Sequence, residues 1–157
     1  MDRKYIGTAL ALKYLNCMSM KSLDQRILVQ KKFYLAQAFG AKFGYHYNWY
    51  LRGPYSKDLT SAVFSILAQN PEELEGYSLS EEAEDLLYRF NQLEKKKPKD
   101  LSVSDWYELL ASILFLRDDY GLNGLKEKTS VGKKLLEFKP WYLQKDINIA
   151  WKELTVI

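Results

Sequence analysis

The chain has 157 residues, a net charge of +3 and a hydrophobic fraction of 47%, the size and composition of one folded domain rather than of a disordered or fibrous chain. A single cysteine, Cys17, excludes an internal disulfide and a cysteine-based zinc cluster, and fits a reducing, cytoplasmic setting. Nowhere do 18 apolar residues run together, so no membrane span is expected.

Arg3 and Lys4 before IGTALAL mimic the start of a signal peptide. Lys13 interrupts the apolar run and no small-residue cleavage site follows, so the stretch from Arg3 to Leu15 is expected as a helix. Ser22 with Gln25 makes a capping box for a helix over Leu23–Phe39, and Gly40 is a natural stop. The apolar arc of that helix holds Ile27, Leu28, Tyr34, Leu35, Ala38 and Phe39. Lys31 falls inside the arc, and Gln30 and Gln37 share one edge of it. A lysine so placed either snorkels to water or meets a partner, and snorkelling is the expectation.

From Phe43 to Leu51 the period changes to two. Phe43, Tyr45, Tyr47, Trp49 and Leu51 alternate with Gly44, His46, Asn48 and Tyr50, the signature of a half-buried strand. Gly53-Pro54 is expected to end it. Ser56 then caps a helix whose first turn carries Asp58 and whose buried face is Leu59, Ala62, Val63, Ile66 and Leu67. After Asn70-Pro71, the run GYSLSEE reads as a strand-to-helix transition with Ser78 and Glu81 as a second capping box. A helix followed by such a transition resembles the recognition helix and wing of winged-helix domains. Lysines 95, 96, 97 and 99 around Pro98 are expected as an exposed linker, 94–100, between two helical halves of a single domain spanning 1–157.

Ser102 or Ser104 caps the next helix, where Trp106, Leu109, Leu110, Ile113, Leu114 and Leu116 cover nearly the whole circumference. A helix apolar all round belongs at the centre of the core. Lys126–Phe138 and Asp146–Leu154 complete six or seven helices. The fold class expected is mainly α, a compact multi-helix domain with one short aromatic strand and a winged-helix-like segment.

One histidine and one cysteine cannot build the usual metal sets or nucleophilic triads, and no glycine-rich phosphate loop is present, so no cofactor and no enzyme activity are expected. The chemistry concentrates instead in Phe43–Ser56. Arg52 stands between a tyrosine-rich strand and a helix start, where a guanidinium stacks on Tyr50 or Tyr55 and still reaches an anion, or pins the turn to Asp58 or to carbonyls. Tyrosine, tryptophan and arginine dominate binding hot spots. The candidate binding residues are Gln30, Lys31, Tyr47, Trp49, Tyr50, Arg52, Tyr55, Ser56 and Lys57.

The runs RILVQK from Arg26, FYL from Phe33 and GYHYNWYLRGPYS from Gly44 together resemble the YwgA-like prokaryotic proteins, whose motif runs "LQK-x-x-YLL … F-x-W-Y-L-x-GPYS". Leu109–Leu116, Leu136–Pro140 and Ile149–Trp151 are similar to the buried helix and the closing "KP … AW" segment of that family. More distantly, the helix, strand and "GP" order resembles Panacea-type antitoxin domains and SocA-like adaptors, though Arg-Gly-Pro-Tyr-Ser departs from their Gly-Pro-Val type of ending. The resemblance implies a mostly helical prokaryotic or phage protein that works by binding another protein, as an antitoxin, adaptor or accessory subunit. An alternative is a winged-helix-like DNA-binding regulator presenting Lys57, Thr60, Ser61, Ser65 and Gln69, and a third reading is a nucleic-acid enzyme using Asp105, Glu108, Asp118 and Asp119.

Overall fold

The computed structural model describes residues 1–157 and contains seven α-helices with one two-stranded antiparallel sheet. In chain order the elements are α1 (Arg3–Tyr14), α2 (Leu23–Ala38), β1 (Asn48–Tyr50), β2 (Gly53–Tyr55), α3 (Lys57–Leu67), α4 (Glu81–Asn91), α5 (Val103–Asp118), α6 (Lys128–Phe138) and α7 (Gln144–Leu154). No helix is long and apolar enough to cross a membrane.

Local chemistry explains most helix starts. Ser22 and Gln25 form the full reciprocal capping box of α2, and Ser56 and Ser102 cap α3 and α5 through their hydroxyls. For α4 the cap is Ser80, accepting from the Ala83 N–H, and not Ser78. The chain stays irregular through Ser78 and Leu79, so Glu81 is the first helical residue.

α5 is the central rod, buried on all sides from Trp106 to Leu116. α2, α6, α7 and the hairpin pack around it, with α2 and α5 making the most extensive helix contact. That contact joins helices on either side of the lysine-rich stretch, in which residues 94–96, 99 and 100 are exposed. Residues Gln92–Lys96 form a 3-10 turn, Leu93 is buried, and its carbonyl accepts from the Trp106 indole N–H at 2.8 Å. Lys97 folds back onto the Pro98 and Leu101 carbonyls.

The aromatic stretch keeps its predicted alternation, with odd residues from Phe43 to Trp49 turned inward and Gly44, His46 and Asn48 outward. It is not one long strand. Only Asn48–Tyr50 pairs, and its partner is Gly53–Tyr55, so Gly53-Pro54 builds the second strand of a hairpin rather than ending the first. Pro54 is tolerated because its carbonyl, and with it its ring nitrogen, faces away from β1 toward α2, where no ladder donor is needed. Leu51 and Arg52 form the turn without positive φ, and Gly53 takes φ +93°, the arrangement of a type I turn closed by a glycine bulge. Leu51 therefore points outward, 91% exposed, against the expected inward phase. No strand forms at Tyr77–Leu79; after a 3-10 turn at Pro71–Leu74 the chain runs unpaired to α4, so no wing follows α3.

What the absent sheet does not supply, α2 supplies with side chains. The Gln30 amide accepts from the Ser56 N–H at 2.8 Å and donates to the Ser56 carbonyl at 3.0 Å. One heptad on, Gln37 treats Tyr45 the same way, accepting at 2.9 Å and donating at 3.1 Å. Each glutamine thus stands in for a neighbouring strand and satisfies both backbone groups of one extended residue. Replacing Gln30 with Leu is expected to strand both groups of buried Ser56 and to destabilise the fold by about 2–3 kcal/mol in urea unfolding. Gln37→Leu, beside the less buried Tyr45, should cost less; equal stability of wild type and Gln30→Leu would refute this role.

Candidate functional site

The hairpin turn sits over a group of buried polar side chains drawn from three places in the sequence, α2, α5 and the link after α6. Lys31, on α2, is 1% exposed and donates to the Pro54 carbonyl at 2.7 Å. Lys139, in the link after α6, is equally buried and donates to the Leu51 carbonyl at 3.3 Å. Glu108, on α5, lies 3.5 Å from the Lys139 ammonium and accepts from the Tyr142 hydroxyl at 3.1 Å. Ser112, one turn further along α5, is fully buried and its hydroxyl has no partner. Two lysine Nζ groups thus hold the outward carbonyls of the hairpin, and a single carboxylate lies between the elements that carry them.

Burial moves the titration of these groups. Loss of hydration lowers Lys31 from its ordinary 10.5 to about 7; Glu108 opposes that fall, and Lys139 and Arg52 add to it. Lys139 is lowered for the same leading reason, again against the pull of Glu108. The Tyr142 hydroxyl is pushed up by burial and by the neighbouring Glu108 charge.

Gly53 is the position where the turn comes closest to α5. A β-carbon there would stand 2.6 Å from the Ser112 Oγ and 3.8 Å from the Lys31 Nζ. Positive φ and this approach both require glycine.

The predicted site residues divide sharply. Gln30, Lys31, Tyr47 and Ser56 face inward and are structural. Lys31 does not snorkel, because the Pro54 carbonyl lies within reach on the buried side. Tyr47 packs edge-on against Tyr34, ring centroids 5.0 Å apart. Trp49 is half-buried against Phe115 and Phe138 at 5.6 and 5.2 Å. Tyr55 is half-buried, its hydroxyl accepting from Thr60, which in turn accepts from Gln30. Tyr50, Arg52 and Lys57 remain at the surface. Arg52 makes no ion pair or hydrogen bond through its side chain, to Asp58 or to any carbonyl, and Tyr50 packs edge-on against Tyr55 instead, 5.3 Å between centroids.

Near the turn three large apolar side chains are exposed, Leu51, Phe138 at 43% and Trp141 at 61%; the Lys139 Nζ bonds the Leu51 carbonyl and lies 5.6 Å from the Trp141 ring, and Trp49 lies against Phe138. Of the six lysines between residues 126 and 145, Lys139 is buried, Lys134 pairs with Glu137 and Lys145 pairs with Asp100. Phe138, Lys139 and Trp141 were not among the predicted site residues. Their signal was the Phe-Lys-Pro-Trp run after α6, which reads locally as a plain helix end.

One cleft of about 560 Å³ is lined by Lys32, Glu94 and Lys95, and another of about 310 Å³ lies between Gly7, Gly40–Phe43 and Leu79–Leu87. No three histidine, cysteine or acidic side chains converge. The four acids of the enzyme reading are dispersed along α5: Glu108 lies in the buried group, while Asp118 is held bidentately by Arg117 at 2.8 and 2.9 Å and Asp119 accepts from Tyr34. Asp118 lies ten positions beyond Glu108 on the helix, about 15 Å along the axis, too far for joint action. The outward face of α3 offers Lys57, Asp58, Ser61 and Phe64, one cation beside one anion and an exposed aromatic ring. Comparison with family models, with curated proteins and with solved structures returns no match for this chain.

The sign of the Lys31 effect is definite. Between about pH 7 and 10.5 the amine is neutral in the fold and charged when unfolded, so unfolding takes up a proton and stability rises with pH across that window. The wild type is expected to gain up to roughly 1 kcal/mol per pH unit relative to Lys31→Met, read from urea unfolding at pH 7 to 9.5; parallel pH profiles would contradict it. At the close approach, Ser112→Ala removes an unpartnered hydroxyl and is expected to be neutral or stabilising. Gly53→Ala should be strongly destabilising and partly rescued in the Ser112→Ala background, a coupling that a double-mutant cycle measures directly.

Proposed function

We propose that this chain is a non-enzymatic protein-binding module, and that it binds through the hairpin turn and the neighbouring Phe138–Trp141 segment. The observation that carries this reading is the contrast at the corner. The backbone of the turn is anchored by two buried lysines, while the side chains it presents, Leu51 and Arg52, are free. A large apolar residue and an unpaired arginine on a pinned turn, next to an exposed tryptophan, have the composition of a hot spot that loses little conformational freedom on binding.

The resemblance of the WYLRGPYS segment to YwgA-like proteins, and the more distant one to Panacea-type and SocA-like domains, points the same way. It suggests an antitoxin, adaptor or accessory subunit of a prokaryotic complex, which stands as part of the proposal. So does a cytoplasmic location, which the free thiol of buried Cys17 favours. Reading of DNA by α3 finds less support, since its outer face combines Lys57 with Asp58 and Phe64 and no wing lies beside it.

The test is quantitative capture from the native host with mass spectrometry, comparing wild type with Leu51→Asp, Arg52→Glu and Trp141→Ala. All three sites are exposed, so circular dichroism and melting should be unchanged while a specific partner is lost by about 30-fold or more. A partner retained equally by all three variants would exclude this face. Duplex DNA bound at low salt with a steep salt slope would favour the regulator reading instead.

A further inference from the structure

Where α2 and α5 end side by side, a cleft of about 380 Å³ opens that the buried lysine group does not use. Tyr34, Tyr47 and Phe115 line it together with Asp119, and His46 and Asn48 stand exposed at its edge. The Tyr34 ring meets Tyr47 edge-on, centroids 5.0 Å apart, and Phe115 at a tilt, 6.1 Å away, so the aromatic wall is bent rather than flat. Tyr47 is 9% exposed, and its hydroxyl has no partner in the protein. Gln37 also lines the cleft, but its amide is taken up by the backbone of Tyr45. No lysine or arginine borders it.

The negative charge of this cleft is unmatched. The Tyr34 hydroxyl donates to Asp119 Oδ2, while Oδ1 has no hydrogen-bond partner and Asp119 belongs to no ion pair. Arg117 is the basic residue in the last turn of α5, and it is committed elsewhere. Its Nε and Nη2 hold Asp118 at 2.8 and 2.9 Å, and its Nη1 donates to the Leu154 carbonyl at 2.9 Å. The last turn of α2 has no basic residue at all. Asp119 is the C-cap of α5 and Gln37 stands in the last turn of α2, so the negative ends of two helix dipoles add to the carboxylate. Aromatic rings beside such charge favour an organic cation, and one free carboxylate is too few ligands for a metal ion.

We propose that this cleft binds a primary alkylammonium group, with its N–H donors on Asp119 and its methylenes against the rings of Tyr34, Tyr47 and Phe115. A primary ammonium fits better than a quaternary one, because the free Asp119 oxygen is an acceptor that only an N–H can use. Tyr34 is a positioning residue here: its hydroxyl holds one oxygen of Asp119 and leaves the other for the ligand. A lysine side chain and a free aliphatic amine carry the same group. None of Leu51, Arg52, Phe138 and Trp141 lines the cleft, so the site does not depend on the hairpin face or on what binds there.

Titration of 15N-labelled protein with pentylammonium at about pH 8, where the amine is charged, reads the site directly. Amide shifts of His46, Tyr47, Asn48 and Asp119 are expected to saturate with a Kd of about 1 mM. The neutral analogue 1-pentanol should leave them unmoved. In Asp119→Asn, whose amide oxygen still accepts from Tyr34, affinity should fall about tenfold or more while the melting temperature is not lowered. Lysine blocked at both ends separates the two sources. Binding tighter than that of pentylammonium assigns the group to a peptide side chain, weaker binding assigns it to a free amine, and either result upholds the site. The proposal is overturned by the absence of a saturable shift up to about 100 mM, by equal binding of the alcohol, or by undiminished affinity in Asp119→Asn. Displacement of the amine by Mg2+ at equal ionic strength would also overturn it.

Discussion

An extended chain laid across a helix has backbone donors and acceptors that no sheet satisfies, and the arrangement of this protein depends on how they are met. Buried peptide groups must be paired. Here the pairing comes from side chains: Gln30 and Gln37 on α2 act as strand mimics for Ser56 and Tyr45, and Lys31 and Lys139 take the carbonyls of Pro54 and Leu51. Each of these bonds spans separate elements, so α2, the hairpin and the link after α6 are positioned together or not at all. The central helix α5 completes the set, because Glu108 stabilises Lys139 and the bare Gly53 lies against Ser112.

Burying two lysines and one glutamate is a demanding way to hold a turn. A buried pair such as Lys139–Glu108 is weak evidence of added stability, since desolvation offsets much of the attraction, yet loss of one partner leaves an unmatched charge and is costly. Its effect is geometric definition. The two Nζ groups bond the Pro54 and Leu51 carbonyls, and the turn follows that arrangement. Lys31 and Lys139 lie buried under the turn while Leu51 and Arg52 are exposed above it, so under the proposed binding role the lysines would supply rigidity rather than reactivity. A low lysine titration by itself would suggest a nucleophile. The closed packing around Lys31 assigns it to support.

The same economy of polar groups recurs elsewhere. Lys32 turns inward beside Lys31 and donates to the Leu15 carbonyl at the end of α1, with the Tyr107 ring 5.1 Å from its ammonium. Trp106 and Lys97 likewise serve carbonyls of irregular segments between α4 and α5. Long polar side chains take over the bonding of the connections, which lets the helices be joined by irregular chain without leaving buried carbonyls bare.

Much of the helical frame was legible because its causes are local. Serine caps, glycine stops and the all-round apolar face of α5 are set by neighbouring residues, and so were the inward and outward faces of the aromatic stretch. By itself the sequence determined a mostly helical protein, the central place of α5, a capped corner at Ser56 and the anomaly of Lys31 inside an apolar arc. Only the tertiary structure decided what meets that lysine, that Gly53-Pro54 turns the chain into a second strand, that Leu51 faces water, and that Lys139, Glu108, Ser112 and Tyr142 gather beneath the turn. The reason is physical. Periodicity and capping act over a few residues, whereas the partner of a buried polar group is chosen by whichever distant carbonyl or carboxylate the packing brings within about 3 Å.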